Sequence, residues 1–212
     1  MFTLALDCST ARGSVALMEE PAGAPLPAPP LFQTEFPAGR GQGGGLFTAL
    51  TAALRALPAG ESLGGIVVGL GPGSYSGVRQ AIAAAVGLSV STGAALAGVP
   101  SPAGLETDFA AFQAVGDARR GTFYHTAVAD GQPLPPGPVL LPDQAALDAQ
   151  LARHAGWPVL AVETAADLMP PGSILALPLA ARLLRVPPAA RVPPPLEPIY
   201  LRAVAITLPK GA

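Results

Sequence analysis

The sequence predicts an α/β fold. Apolar runs of strand length alternate with helical patterns through the first half of the chain. IVVGLGPGSYSGVRQAIAAA (66–85) runs from a strand through a glycine-rich turn into a helix. Two stretches, LALDCSTARGSVAL (4–17) and AVGDARRGTFYHTAV (114–128), each end an apolar strand on an Asp. Each then turns through Arg-Gly and returns as a second apolar strand.

The elements follow from local pattern. Residues 2–6 and 14–18 flank a polar turn and predict a hairpin. The Pro-rich 21–30 is loop, and alternation in LFQTEF predicts a third strand over 31–36. After the flexible GQGGG, Leu46, Leu50, Leu54 and Leu57 mark one face of a helix over 45–57, stopped by Pro58 and Gly60. GIVVGL (65–70) is a buried strand. Residues 78–90 form a helix with Val78, Ile82, Val86 and Ser89 on one side, and 94–99 is a strand closed by Pro100. A helix is expected over 103–113, then the second hairpin from 114 and a loop at 133–139. A helix opens at Asp143 and ends at Gly156, and 157–163 is a strand. A short helix over 178–186 precedes a Pro-rich linker, and 199–206 is a last apolar segment. The domain boundary is expected between 100 and 115, giving units of 1–102 and 103–212, with 199–206 packing back on the first.

Scarce residue types limit the chemistry. Only 12 % of the 212 residues are charged, half are hydrophobic, and 25 Gly and 26 Pro are present. The apolar half argues against disorder. A single Cys8 excludes an internal disulfide and a Cys-based zinc cluster. His125 and His154 match neither HxxxH nor HExxH, which argues against a metalloprotease. The only lysine, Lys210, lies beside the C-terminus, far from any P-loop-like glycine turn. A net charge of −2, with no basic run longer than Arg119-Arg120, argues against tight RNA binding by this chain alone. The uncharged 80–105 is broken by Gly87, Gly93, Pro100 and Pro102. It is read as no membrane span, and the N-terminus as no signal peptide. The chain is expected in the cytoplasm.

Three features carry candidate function. The Asp-ended hairpins are either a chance resemblance or two related subdomains. In the second case Asp7 and Asp117 face a cleft suited to Mg²⁺ and a phosphate chain, as in an actin-like or sugar-kinase-like phosphotransferase. The glycine turn is either a tight strand–helix turn with a good cap or an anion site. Its candidate anion or nucleotide contacts are Asp7, Ser9, Gly71, Gly73, Ser74, Ser76, Arg79 and Asp117. It matches neither a Walker A loop, which needs GxxxxGK[ST], nor a GxSxG elbow, nor the GxGxxG dinucleotide fingerprint. The helices 45–57 and 78–90 carry one charge each, Arg55 and Arg79. Either the composition is simply Ala-rich, or these helices meet a protein partner. The candidate interface is Leu46, Ala49, Leu50, Ala52, Ala53, Val78, Ala81, Ile82, Ala84 and Ala85.

The segments LALDCSTARGSVAL, GLGPGSYSGVRQAIAAAVGLS, GVPSPAGLE (98–106), DARRGTFYHTAV and PIYLR (198–202) together resemble the TsaB (YeaZ) family, in that family's order. The resemblance implies an actin-like (ASKHA, ribonuclease H-like) duplicated α/β fold with two subdomains, the second reduced. It implies a non-catalytic subunit of the machinery that makes threonylcarbamoyladenosine beside the anticodon of tRNAs. In that family the paralogue TsaD is the catalyst, paired through N-terminal helices, and an ATPase, TsaE, joins them. Metal and ATP are then expected on the partner subunits and no cofactor on this chain alone. tRNA is met only through the complex, and the isolated protein is a homodimer. The chain departs from the family in GRGQGGG, where a His-Ser is common, and in the Pro-rich 21–30. No Gly-Gly pair follows Gly64-Gly65, so the adenosine loop of a working actin-like ATPase is missing. The rival is an ATP-dependent kinase or hydrolase using Asp7 and Asp117.

Overall fold

The computed structural model describes residues 1–19, 29–39, 44–162 and 169–202. The Pro-rich stretch is therefore described only at its end. Residues 40–43, 163–168 and 203–212, with part of the last apolar segment, lie outside the described residues.

The first sheet has five strands, β1 (Phe2–Asp7), β2 (Arg12–Glu19), β3 (Phe32–Pro37), β4 (Leu63–Gly69) and β5 (Ala95–Val99). Their order is β3-β2-β1-β4-β5. β1, β2 and β3 form an antiparallel meander, and β4 and β5 add in parallel on the other side of β1. Helices α1 (Gly44–Arg55) and α2 (Tyr75–Thr92) make the crossovers that parallel strands require. Alternation along the strands sorts their side chains by face. Leu4, Leu6, Val15, Leu17, Ile66 and Val68 meet α1 and α2 in one core. Ala5, Ala16, Met18, Val67 and Val99 form the other face. Both faces are covered, which explains why the strands read as continuous apolar runs.

The second sheet repeats this wiring. It contains β6 (Ala111–Asp117), β7 (Phe123–Ala129), β8 (Gln132–Pro133), β9 (Val139–Leu141), β10 (Val159–Ala161) and β11 (Ile174–Leu175). The order is β11-β10-β6-β7-β8, with β9 also paired to β7. β6 and β7 are antiparallel, while β10 and β11 run parallel to β6. Thus β6 takes the place of β1, β7 of β2, and β10 and β11 of β4 and β5. α3 (Gln144–Leu151) starts at Asp143, whose Oδ1 accepts from the Ala146 amide at 2.8 Å. Gln113 on β6 donates its amide to the Leu151 and His154 carbonyls at 3.3 and 3.1 Å. Its Oε1 is then the acceptor for buried His125 on β7, at 3.0 Å, which places a hydrogen on His125 Nε2.

The last part of the chain returns to the first sheet. Helix α4 (Ala180–Leu183) lays Ala180, Leu183 and Leu184 on the face formed by Ala5, Ala16 and Val67, where small side chains admit it. Ser14 Oγ accepts from the Ala180 amide at 2.8 Å. Arg12 joins Glu35 on β3 and Glu106 after β5, at 3.1 and 3.2 Å. Further on, Leu196 and Ile199 pack against the α1–α2 core, and the Ile199 amide donates to the Leu70 carbonyl at 2.8 Å.

Several elements differ from the sequence expectation. No helix forms over 103–113. A 3-10 turn at Ser101–Gly104, held between Pro100 and the α4 side chains, gives way to β6. The strands β8, β9 and β11 are too short and too close to Pro and Gly to show a period. α2 starts three residues before its apolar pattern, because its first turn, Tyr75–Gly77, is set by the cap and not by burial. Among the described residues no helix is long and apolar enough to cross a membrane.

Candidate functional site

Asp7, at the end of β1, is fully buried. Its Oδ1 accepts from the Ser9 amide and the Ser9 hydroxyl at 2.8 and 2.7 Å. Its Oδ2 accepts from the Ser101 hydroxyl at 2.5 Å. Ser101 Oγ in turn accepts from the Gly71 amide at 2.9 Å, and the Ser101 amide donates to the Gly71 carbonyl at 2.9 Å. The Ser74 amide donates to the Ser9 carbonyl at 2.7 Å. Burial pushes the Asp7 carboxyl above its ordinary range, while the hydrogen bonds from Ser101 and Ser9 pull it back. Burial, together with the Asp7 charge, pushes the neighbouring Cys8 thiol up to about 12, so it is no nucleophile at neutral pH.

This arrangement assigns the glycine turn. Ser74 caps α2 by accepting from the Gly77 amide at 3.2 Å. A Cβ on Gly73 would overlap the Ser9 carbonyl, and one on Gly77 the Cys8 carbonyl. The glycines therefore let the turn close onto the β1–β2 hairpin. The amides of Gly71, Ser74 and Gly77 already serve acceptors of the chain itself. Of the expected anion contacts, Asp7, Ser9, Gly71, Gly73 and Ser74 are brought together in one knot, in which the Asp7 carboxylate and the Gly71 and Ser74 amides are bonded within the chain. Ser76 and Arg79 are exposed on the outer side of α2.

Asp117 ends β6 as Asp7 ends β1. Its Oδ1 accepts from the Arg119 amide two residues on, at 2.6 Å, the same local turn that Asp7 makes with Ser9. Its carboxylate lies 3.5 Å from the Arg119 guanidinium. Arg119 and Arg120 both take left-handed backbone, φ 71° and 59°. Arg202 donates to the Arg119 carbonyl and to the Thr122 hydroxyl. The hydrogen-bond partners described for the two carboxylates share no residue. Among the described residues no group of three or more His, Cys, Asp or Glu is placed to hold a metal ion.

The candidate interface is corrected by burial. Leu46, Ala49, Leu50, Ala53, Val78, Ala81, Ile82 and Ala85 pack into the core of this chain, so they are not available to a partner. Ala52 and Ala84 are half-buried. The outward residues are Phe47, Thr48, Thr51 and Arg55 on α1, and Tyr75, Ser76, Arg79, Ala83, Val86, Gly87 and Val90 on α2. Val86 and Val90 are 40 % and 81 % exposed, and Phe47 is 55 % exposed. Val86, expected with Val78 and Ile82, lies outside because the buried face runs through Ala81 and Ala85. The hydroxyls of Thr48 and Thr51 bond back to helix carbonyls, which leaves these surfaces less polar than their composition.

At one end of the α2 face the side chains form a cluster that sequence reasoning missed. The Arg79 guanidinium sits 4.3 Å from the Tyr75 ring centre and 5.5 Å from that of Tyr200, and Nε donates to the Tyr200 hydroxyl. A surface hollow of 420 Å³ beside it is lined by Arg79, Ile82, Ala83, Glu197, Pro198 and Tyr200. The PIYLR motif contains Tyr200, so the signal was present, although 121 positions separate it from Arg79.

No family model and no curated protein sequence matches the chain. Solved structures do. One is an uncharacterised Pseudomonas aeruginosa protein described as similar to the peptidase YeaZ. It is 25 % identical, with a TM-score of 0.69 over 95 % of this chain and 99 % of that one. Another is YeaZ from Pseudomonas aeruginosa, 25 % identical, with a TM-score of 0.68 over 94 % and 99 % of the two chains. Likeness over the whole chain, together with the doubled sheet wiring, makes this a YeaZ (TsaB)-like protein with an actin-like fold.

Proposed function

We propose that this chain is the non-catalytic scaffold and activator subunit of the complex that installs threonylcarbamoyl on the adenosine next to the tRNA anticodon. Its partner is a TsaD-like catalytic paralogue. A TsaE-like ATPase joins the pair, tRNA is met only through the complex, and ATP and metal reside on the other subunits. The observation that carries the reading is the outer face of α2. Ala83, Val86, Gly87 and Val90 form an uncharged stripe at helical spacing, with Arg79 and Glu197 at one end of it. Such a face suits a dry helix-to-helix contact. The closed Asp7 knot supports the same reading, because its carboxylate oxygens are committed to Ser9 and Ser101.

The test is co-elution with the catalytic paralogue in size-exclusion chromatography. Wild type is expected to form the complex. Val90→Arg and Ala83→Arg, both on the exposed face, are expected to abolish it while far-UV circular dichroism stays unchanged. Complexes that survive both changes refute docking through α2. Micromolar Mg-ATP binding with turnover by the isolated chain refutes the non-catalytic role.

A further inference from the structure

We infer that Arg79 is a fixed receptor for a carboxylate carried on the docking helix of the partner subunit, an inference that rests on the pairing proposed above. The Tyr75 ring lies against the guanidinium, the neighbouring Tyr200 ring stands 5.5 Å from both, and the Tyr200 hydroxyl accepts from Nε. The two terminal nitrogens are left with no hydrogen-bond or ion-pair partner among the described residues. Glu197 lines the same hollow but makes no ion pair with Arg79. Two parallel N–H groups on a guanidinium match the two oxygens of a carboxylate.

The apolar surroundings set the sign of the partner. Docking on Ala83, Val86 and Val90 takes Arg79 out of water, and a buried unpaired guanidinium opposes association. The partner must therefore bring an acid. A second copy of this chain offers none on the helices themselves, since neither α1 (44–55) nor α2 (75–92) contains an Asp or Glu, and its Glu197 sits in the hollow beside its own Arg79. Charge complementarity thus selects a helix of small apolar residues that carries an Asp or Glu. Exposed Tyr and Arg side chains are also the residue types that anchor interfaces most often.

The experiment is calorimetric titration of this chain with the catalytic paralogue, at low and at high salt. Arg79→Ala is expected to weaken binding about 30-fold or more. Arg79→Lys is expected to weaken it nearly as much, because an ammonium keeps the charge without the paired N–H groups. Tyr200→Phe is expected to weaken it less, by releasing Nε. Arg79→Glu is expected to be rescued by one Asp or Glu of the partner helix changed to Arg. Arg79→Gln replaces Arg79→Ala if the latter loosens the 196–202 segment, which hydrogen exchange reads directly. If Arg79→Ala and Arg79→Lys bind like wild type while Val90→Arg does not bind, the receptor role is refuted and the pairing stands. If wild type itself does not bind, the pairing is refuted and Arg79 with it. If the Arg79 variants lose only self-association, a second copy is the occupant and the inference is overturned.

Discussion

Between pH 6.5 and about 4 the fold is expected to lose stability through one side chain, His125. Burial, with help from the nearby charges of His154 and Arg153, lowers its pKa from 6.5 to about 4. The unfolded chain then binds a proton before the folded chain does, so stability falls as pH falls through this window. Each pH decade is worth about 1.4 kcal/mol, and the whole interval about 3 kcal/mol. The imidazole is 1 % exposed and its Nε2–H already donates to Gln113. A second proton would place a charge inside the sheet. Asp7 acts in the opposite direction. Its raised pKa means the folded chain takes up that proton first, which stabilises the fold as pH falls toward 3.8. The two effects are separated with His125→Gln, which keeps a donor but does not titrate. Urea midpoints are measured for both proteins at pH 7.5 and about pH 4.5. The wild type should lose more stability than the variant, by about 2–3 kcal/mol. Equal losses would show that His125 does not carry the linkage and would refute the reasoning.

Two further predictions concern the glycine turn. Gly77→Ala is expected to destabilise by about 2 kcal/mol or more, since its Cβ would press on the Cys8 backbone carbonyl. Gly87→Ala, in the same helix with open space around it, is expected to stabilise by about 0.5–1 kcal/mol, and thermal melts of the pair show the contrast. Ser101→Ala removes the donor to Asp7 and the acceptor for the Gly71 amide at once. It is expected to cost about 2–3 kcal/mol in urea unfolding, and a loss below about 0.5 kcal/mol would mean that water or a rearranged turn replaces the hydroxyl.

Much of the first sheet was legible in the sequence. Alternating strands and the Leu46–Leu50–Leu54 spacing are direct consequences of burying one face, so periodicity finds them. The choice of outward residues on α1 and α2 was not legible. Ala52 and Ala53 look alike in sequence, and so do Ala84 and Ala85, yet in each pair only the second is fully buried. Nearly uniform apolar composition erases the contrast on which a helical pattern depends. The Asp7 knot was half legible. Asp7, Ser9 and the glycines were singled out, but Ser101 lies 94 positions from Asp7 and nothing local marks it as the partner. For the same reason Tyr200 was not connected to Arg79. The strand β6 was misread over 103–113 because its alternation begins only at Ala111, after a proline-rich turn.

Helix α4 has a consequence for how the chain reaches its native state. Ala5, Ala16 and Val67 are made well before the side chains that shield them, Ala180, Leu183 and Leu184, which lie more than about a hundred positions further along the chain. During synthesis the first sheet can close on α1 and α2 while its opposite face stays wet. Contacts of such long sequence separation slow folding, because a large loop must close before they form. An early half-covered sheet is also a surface on which chains can associate wrongly. The small size of Ala5 and Ala16 acquires a second meaning here. It fits the late helix, and it keeps the waiting face from being strongly apolar during the interval.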